Sequence, residues 1–203
     1  MTVQRILRYP EDEAALRQKS AKVGRIDDEI LALIADLMDT LAANPGAGLA
    51  APQIGVHKRV TIVRFGQDDE KKDGTGKKEM EQPLALINPE IVKAGVPATG
   101  FDGCLSIPNL LTWSTVRPSV LTFRALTADG KTIRRTVKGI DARLVHHEID
   151  HLDGVLFLDR LKDMDDLFIV KHDENGKPRL VPVNNPTARA PVGPNVDIGE
   201  LKL

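Results

Sequence analysis

Apolar residues at helical spacing predict two helices in the first quarter of the chain. Over residues 27–43, apolar side chains recur every three or four positions until Asn44-Pro45-Gly46 interrupts them. That spacing places them on one face of a helix that packs against a core. The face consists of Ile30, Leu33, Ile34, Leu37 and Leu41. The acidic residues that follow Pro10 indicate a shorter polar helix ending near Lys19.

The middle of the chain is predicted to be rich in strands. Residues 58–65 alternate apolar and polar side chains, and residues 84–92 form a second apolar strand that Asn88-Pro89 bends or places at a sheet edge. Residues 119–127 and 131–138 flank an Asp-Gly turn. Because Asp-Gly favours a tight hairpin turn, these two segments are predicted to pair as a β-hairpin.

Two segments are polar and lack periodicity. Residues 66–82 are charged and contain glycine, which is typical of a mobile loop, and acidic residues there cancel the charge of the lysines. From Glu174 onward, prolines, asparagines and glycines predict a flexible or surface-bound extension. The chain is therefore predicted to hold one domain over residues 1–170, followed by a Pro-rich C-terminal extension over residues 171–203.

Residues 142–152 contain no glycine or proline and predict a third helix, with Asp141 as its N-cap and Gly154 just beyond its end. Its apolar residues lie on the side away from His147 and His151, so the helix should be central and largely buried. The elements together predict an α+β fold, with antiparallel β-sheets packed around a central helix that carries a His-Glu-x-x-His motif.

The His-Glu-x-x-His motif is the strongest chemical signal in the chain. Positions four residues apart on a helix differ by about 40° of rotation, so His147 and His151 can bind one metal ion. Glu148 is placed to take a proton from water on that metal, which is the chemistry of metal-assisted hydrolysis. The alternative is a pair of structural histidines on a polar helix face.

A hydrolytic metal site usually has three protein ligands, so a third ligand must lie elsewhere. A third histidine of the metzincin kind is replaced by Phe157, and Glu174 lies in a predicted turn. The side chain of His146 points about 100° away from that of His147. Cys104 remains as the candidate, although an isolated buried cysteine is more often an inert apolar residue.

The small residues from Gly46 to Ala51 allow a backbone to approach a ligand closely. Gln53 follows them as an amide in an apolar stretch and could donate a hydrogen bond to a substrate carbonyl. A tight turn leaving the preceding helix is the simpler interpretation of the same stretch.

Composition narrows the class of protein. The 203 residues are 41% hydrophobic and 28% charged with a net charge of −1, which is ordinary for a globular domain and provides no basic field for nucleic acid. The N-terminus has no secretory signal pattern and no apolar run reaches membrane-spanning length. A single cysteine fits a reducing compartment, so we expect a cytoplasmic protein with no membrane or specific nucleic-acid partner.

Three stretches together resemble the peptide deformylase family, whose members remove the formyl group from the N-terminal methionine of new chains. The family pattern Gly-x-Gly-Leu-Ala-Ala-x-Gln is similar to residues 46–53, Glu-Gly-Cys-Leu-Ser to residues 102–106, and Gln-His-Glu-x-Asp-His to residues 146–151. The resemblance extends from about Ile6 to Leu161. It leaves the charged loop and the C-terminal extension uncovered.

The resemblance implies a role for each site residue. Cys104, His147 and His151 would bind one divalent metal ion, Fe²⁺ in cells, with Zn²⁺, Ni²⁺ or Co²⁺ as replacements. Glu148 would act as the general base and then the acid, and the Gln53 side chain with the Leu105 backbone N–H would polarise the formyl oxygen. The residues implied to hold the peptide through their backbone are Ala47, Gly48 and Gly103.

The chain departs from the family pattern at two positions. Asp102 stands where the family has Glu, and His146 where it has Gln. The family Glu pairs with a following Arg, so we predict a contact between Asp102 and Arg117, the matching arginine. His146 could retain a hydrogen-bonding role beside the site or alter its pH response.

Other functions remain open on the sequence alone. A deformylase-like paralogue with another N-acyl substrate would fit the two departures, and a non-catalytic binding module would keep the metal for stability. Glu148 argues against the binding module, because a structural metal needs no general base. A metalloprotease lacks its third ligand. The implied partners are N-formylmethionyl nascent chains and, as a further candidate, the ribosome, while the oligomeric state is left open.

Overall fold

The computed structural model describes residues 2–66, 82–175 and 177–184. The predicted charged loop lies outside the described residues except for its two ends, Gly66 and Gln82. So does the end of the predicted extension, residues 185–203. Within the described part of the chain, no helix is both long enough and apolar enough to span a membrane.

The helix predicted over residues 27–43 forms as expected, whereas the short helix after Pro10 ends at Leu16 and not near Lys19. The helices are α1 (Glu13–Leu16), α2 (Asp28–Ala43) and α3 (Gly139–Leu152). The Asp27 side chain caps α2 by accepting a hydrogen bond from the Ile30 backbone N–H at 3.1 Å, and Asn44 is the C-cap. The predicted apolar face of α2 is buried, and its packing role is confirmed.

The described strands form two antiparallel sheets. They are β1 (Gly48–Ala50), β2 (Val60–Val63), β3 (Leu84–Ala94), β4 (Pro97–Cys104), β5 (Ile107–Pro118), β6 (Val120–Leu126), β7 (Thr132–Lys138), β8 (Leu167–His172) and β9 (Pro178–Pro182). One sheet has the order β1-β2-β3-β6-β7 and the other β4-β5-β8-β9. Short 3₁₀ turns follow β1 and precede β8. β1 and β4 are thus edge strands of different sheets.

Helix α3 lies between the sheets and contacts β1, β2, β5, β6 and β7. Its apolar side packs on the larger sheet, where Val145 and Ile149 join a buried cluster with Leu86, Leu121 and Phe123. The opposite side of α3 faces β4 and β5. The predicted fold class, α+β with antiparallel sheets around a central helix, is confirmed.

Two further local predictions differ from the structure, and one hairpin was missed. Helix α3 begins at Gly139, so Asp141 lies in its first turn and is not the N-cap; its side chain accepts a hydrogen bond from the Gly66 N–H at 3.2 Å. The long hairpin β4–β5 was not predicted at all. The extension was expected to be irregular from Glu174, yet β9 pairs with β8 over five residues, because β8 offers it an open sheet edge.

Candidate metal centre and active site

Three potential metal ligands meet where α3 faces the end of β4. The Nε2 atoms of His147 and His151 lie 3.1 Å apart, and Cys104 Sγ lies 3.2 Å from His151 Nε2. The ligand atoms of all three residues fall within 4.8 Å of one another. The helix supplies the two imidazoles from successive turns, and β4 supplies the thiol from its last residue.

This donor set fits a divalent metal ion. Two nitrogen ligands about 2.0–2.1 Å from a tetrahedral metal lie roughly 3.3 Å apart, close to the separation of the two Nε2 atoms. His147 Nδ1 donates to Asp102 Oδ1 at 2.8 Å, and this hydrogen bond leaves Nε2 to face the other ligands. Thiolate with two imidazoles is a donor set for Zn²⁺ and neighbouring transition metals.

Electrostatics favour a thiolate at Cys104. Burial opposes the charged form, but the positive charge of His151 and hydrogen bonds from His147 and His151 outweigh it, lowering the pKa of Cys104 to about 5. For His147, burial lowers the pKa, yet the carboxylate of Asp102 outweighs burial and raises that pKa well above its usual value. The pKa shifts of Cys104 and His147 therefore favour the charged forms of both side chains.

Glu148 is buried beside the ligands and is held by a hydroxyl. It is 3% exposed, and the Thr61 hydroxyl donates a hydrogen bond to Glu148 Oε2 at 3.1 Å. Burial raises the pKa of Glu148, and the charges of His147 and His151 and the Thr61 hydrogen bond oppose that rise. Sequence reasoning missed Thr61; its only signal is a hydroxyl within the apolar strand β2.

Gly48 is placed against the carboxylate of Glu148. A Cβ atom built at Gly48 would overlap Glu148 Oε1 and would lie 2.9 Å from Leu144 Cδ1. The lack of a side chain at Gly48 is therefore what allows β1 and α3 to approach here.

The Gln53 side chain is locked with its amide nitrogen toward Cys104. Gln53 Oε1 accepts a hydrogen bond from the Ala50 N–H at 2.8 Å. Gln53 Nε2 donates to Ser106 Oγ at 3.1 Å and lies 3.5 Å from Cys104 Sγ. Ser106, which sequence analysis did not assign, thus helps to orient the amide. Gln53 is 2% exposed, so its rotamer is fixed by packing as well as by hydrogen bonds.

Arg117 joins the strand that carries Cys104 to the helix that carries the histidines. Its side chain has no exposed surface, and Nε donates to Asp102 Oδ2 at 2.7 Å. The predicted contact between Asp102 and Arg117 is confirmed. Nη1 donates to Asp150 Oδ2 at 2.7 Å and to His146 Nδ1 at 2.8 Å. His146 therefore does have a hydrogen-bonding role beside the site.

Asp150 is a buried partner that sequence reasoning missed. Besides Arg117 it receives two hydrogen bonds from Arg160, at 3.1 and 2.7 Å. Burial raises the pKa of Asp150, but hydrogen bonds from His146 and Arg160 and the charge of Arg117 outweigh it and hold that pKa well below its usual range. The available signal was the Asp of the family pattern Gln-His-Glu-x-Asp-His, which falls at Asp150, three residues beyond His147 on α3.

A cavity of about 1540 Å³ opens onto the site. It is lined by eight of the nine predicted site residues: Ala47, Gly48, Gln53, Gly103, Cys104, Leu105, His147 and Glu148. His151 lies behind them, 1% exposed, with its Nδ1 buried and without a hydrogen-bond partner among the described residues. The edge strands β1 and β4 both reach the cavity, through Gly48 and Gly103.

Comparison with known sequences places the chain among deformylases. A family model described as polypeptide deformylase matches residues 3–166. A peptide deformylase of Thermomicrobium roseum is 41% identical over 166 residues, covering 81% of this chain and 90% of that protein. One of Desulforudis audaxviator is 44% identical over 162 residues, covering 79% and 94%.

Comparison with solved structures agrees. A crystal structure of a peptide deformylase from Legionella pneumophila has a TM-score of 0.67 and 34% identity, covering 80% of this chain and 88% of that chain. A Met-Ala-Ser-bound crystal structure of class I type b peptide deformylase from Acinetobacter baumannii has a TM-score of 0.68 and 28% identity, covering 79% and 99%. The chain belongs to the polypeptide deformylase family.

Proposed function

We propose that Cys104, His147 and His151 bind one divalent metal ion and that Glu148 performs acid–base catalysis beside it. The reaction is that of the family: hydrolysis of the N-formyl group from the N-terminal formylmethionine of new polypeptides, which releases formate. The observation that carries this assignment is the convergence of a thiol and two imidazole Nε2 atoms beside a buried carboxylate at the wall of one cavity.

We propose Fe²⁺ as the ion in cells, with Zn²⁺, Ni²⁺ and Co²⁺ as ions that the same ligands accept. When bound by these residues, the ion would supply Lewis-acid chemistry for activating water and polarising the formyl carbonyl. Asp102 keeps the His147 ring in the tautomer whose Nε2 is free to ligate, because its carboxylate accepts a hydrogen bond from Nδ1–H.

Glu148 would accept the proton of the attacking water and deliver it to the departing amine. A general base works best when its pKa lies close to the working pH, and burial moves the pKa of Glu148 upward in that direction. Thr61 holds one carboxylate oxygen in place, so Oε1, the oxygen next to Gly48, is the one left to handle the proton.

Gln53 and Leu105 would stabilise the oxygen on which negative charge develops. Gln53 Nε2 already points toward Cys104, and its orientation is fixed by Ala50 and Ser106 before substrate arrives. Leu105 follows Cys104 directly and lines the cavity, so its backbone N–H is the second proposed donor.

Edge strands would hold the peptide. β1 and β4 border the cavity from different sheets, and an extended peptide can add to such edges through its backbone. We therefore propose backbone contacts at Ala47, Gly48 and Gly103. The Acinetobacter baumannii structure in complex with Met-Ala-Ser supports a peptide of this length as ligand.

We propose nascent chains as the protein partners, with the ribosome as a further candidate, and the cytoplasm as the compartment. A thiolate ligand supports a reducing compartment, because oxidation of Cys104 would remove it from the ligand set.

We also propose a catalytic domain over residues 1–170 with an extension over residues 171–203 that contributes β9. β9 pairs with β8 at Phe168 and Val170, both of which are buried. A chain ending at residue 172 should unfold at lower urea concentration than one ending at residue 184, and equal midpoints would contradict a stabilising role for β9.

The decisive experiment measures formate release from formyl-Met-Ala-Ser. Protein purified without oxygen and loaded with Fe²⁺ or Ni²⁺ should turn over the peptide, and Glu148→Ala should lose roughly 10²–10⁴-fold in kcat while it retains the metal. A full metal site without turnover would indicate a paralogue with another N-acyl substrate. Absence of metal from wild-type protein would contradict the ligand assignment.

A further inference from the structure

Arg143 makes an unusual set of contacts with the strand that carries Cys104. Its guanidinium lies against β4 and donates to three backbone carbonyls there: Nη1 to Ala98 O at 3.1 Å, Nη2 to Gly100 O at 2.9 Å, and Nε to Phe101 O at 3.1 Å. Nη2 also donates to the carbonyl of Thr115 on β5 at 3.0 Å. One side chain of α3 thus binds both strands of the β4–β5 hairpin.

These contacts fall where the ladder between β4 and β5 is irregular. Gly100 pairs with Thr115, but Asp102 pairs with Thr112, so β5 advances three residues while β4 advances two. A bulge of this kind leaves backbone groups without their ladder partners and re-aims the side chains that follow it. Arg143 supplies hydrogen bonds to the carbonyls of Gly100, Phe101 and Thr115 at this point.

Arg143 also begins a row of contacts along one side of α3. Residues 143, 147 and 151 are each four positions apart and therefore lie roughly on one face of the helix. Arg143 binds β4 up to Phe101, His147 bonds to Asp102, and His151 contacts Cys104. Successive turns of the helix thus meet successive positions of the strand, and Arg143 makes the contact that precedes the ligands.

We propose that Arg143 is a positioning residue for the metal centre. By binding β4 to α3 opposite the bulge of β5, it sets where Asp102 and Cys104 stand relative to His147 and His151. The inference rests on the proposed metal site but not on the identity of the substrate.

Space around Gly100 supports this role. A Cβ atom at Gly100 would lie 3.0 Å from Arg143 Cζ and 3.1 Å from Nη1, so the guanidinium occupies the position of the missing side chain. An alanine there would require the guanidinium to shift by a few tenths of an ångström without removing its charge.

The test measures binding of Co²⁺ to Arg143→Met, which retains an apolar stem, and to Arg143→Lys. Arg134→Met, an exposed arginine on β7, is the matched control. Affinity is obtained by competition with a chelator, and the cobalt–thiolate absorption spectrum reports the ligand geometry. Urea unfolding of the metal-free proteins records any general loss of stability separately.

Arg143→Met should weaken Co²⁺ binding roughly tenfold to a hundredfold and change the spectrum. Arg143→Lys should recover part of the loss, because one ammonium group reaches fewer carbonyls. Arg134→Met should stay within about twofold of wild type. If Arg143→Met keeps wild-type affinity and spectrum, the proposal is wrong.

Gly100→Ala provides a second route if Arg143→Met does not fold. It should weaken Co²⁺ binding in the same direction with Arg143 still present, and unchanged affinity would overturn the proposal. Wild-type protein that binds no Co²⁺ would overturn the metal site and the role of Arg143 together. Wild-type protein that binds Co²⁺ but releases no formate would contradict the function alone.

Discussion

At the scale of single residues, the site depends on the close approach of neighbouring strands to Glu148 as much as on the three metal ligands. Gly48 leaves room for the carboxylate of Glu148, and Thr61 fixes one of its oxygens from the other side. A general base must stand within hydrogen-bond reach of the proton it takes, so small displacements of Glu148 should affect chemistry more than binding.

Gly48→Ala should lower kcat for deformylation roughly tenfold to a hundredfold, because the added methyl group would displace the Glu148 carboxylate. Metal content should be unchanged, since the atoms nearest to the new Cβ atom belong to Glu148 and Leu144 and not to a ligand. Gly24→Ala is the control, because a Cβ atom there meets nothing within 4 Å. Equal kcat for Gly48→Ala and wild type would show that Glu148 is not constrained by β1.

Thr61→Val should move the acid limb of the pH profile of kcat/KM to higher pH. The Thr61 hydroxyl lowers the pKa of Glu148 by stabilising its charged form, so its removal raises that pKa. The base must be ionised to accept a proton, and a higher pKa means that ionisation is lost at a higher pH. Thr136→Val, at an exposed position of β7, is the control and should leave the acid limb at the same pH as in wild type. A limb that stays in place in Thr61→Val would contradict the assignment of that limb to Glu148.

The residues that sequence analysis identified are those with a fixed local pattern. His147, Glu148 and His151 follow from helical spacing, and Cys104 remained once the other candidates for the third ligand were excluded. The family resemblance then implied the same ligands and the pairing of Asp102 with Arg117. Thr61 and Ser106 act across the fold, from β2 and from the turn between β4 and β5, and neither position carries a periodic signal. Only tertiary contact reveals their partners.

At the scale of elements, prediction succeeded where one face is regularly apolar and failed at irregular strands. α2 and the β6–β7 hairpin follow from spacing and an Asp-Gly turn. The β4–β5 hairpin contains glycines, prolines and a register shift, so its side chains do not alternate simply. Contacts from Arg117 and Arg143 hold it in place, and these are not readable from local sequence.

Arg117 is the junction between β4, β5 and α3, so its removal should destabilise the fold. Arg117→Met would leave Asp102 and Asp150, both 7% exposed, without their shared cation. Breaking a buried ion pair in this way costs about 3–5 kcal/mol of unfolding free energy, measurable by urea denaturation. Arg124→Met, whose pair with Glu90 is largely exposed, should cost less than about 1 kcal/mol. Similar losses in both variants would mean that the buried network contributes little.

At the scale of the whole molecule, the metal ligands come from both layers of the fold. Cys104 belongs to the sheet β4-β5-β8-β9, whereas the histidines belong to a helix whose apolar side is packed on the other sheet. A bound ion would therefore link the smaller sheet, through α3, to the larger one. Because an unfolded chain does not hold these ligands together, binding should stabilise the folded state.

Metal removal should consequently lower global stability. When the free metal concentration is a hundredfold above Kd, binding adds about 2.7 kcal/mol to the free energy of unfolding. Unfolding of Zn²⁺-loaded and chelator-treated protein should differ by roughly this amount, and the difference should grow as free metal is raised. Cys104→Ser, which lacks the thiolate joining β4 to α3, should show a much smaller difference. Equal stability of the loaded and stripped wild-type proteins would mean that the ion does not join the two layers, since a ligand that binds only the folded chain must stabilise it.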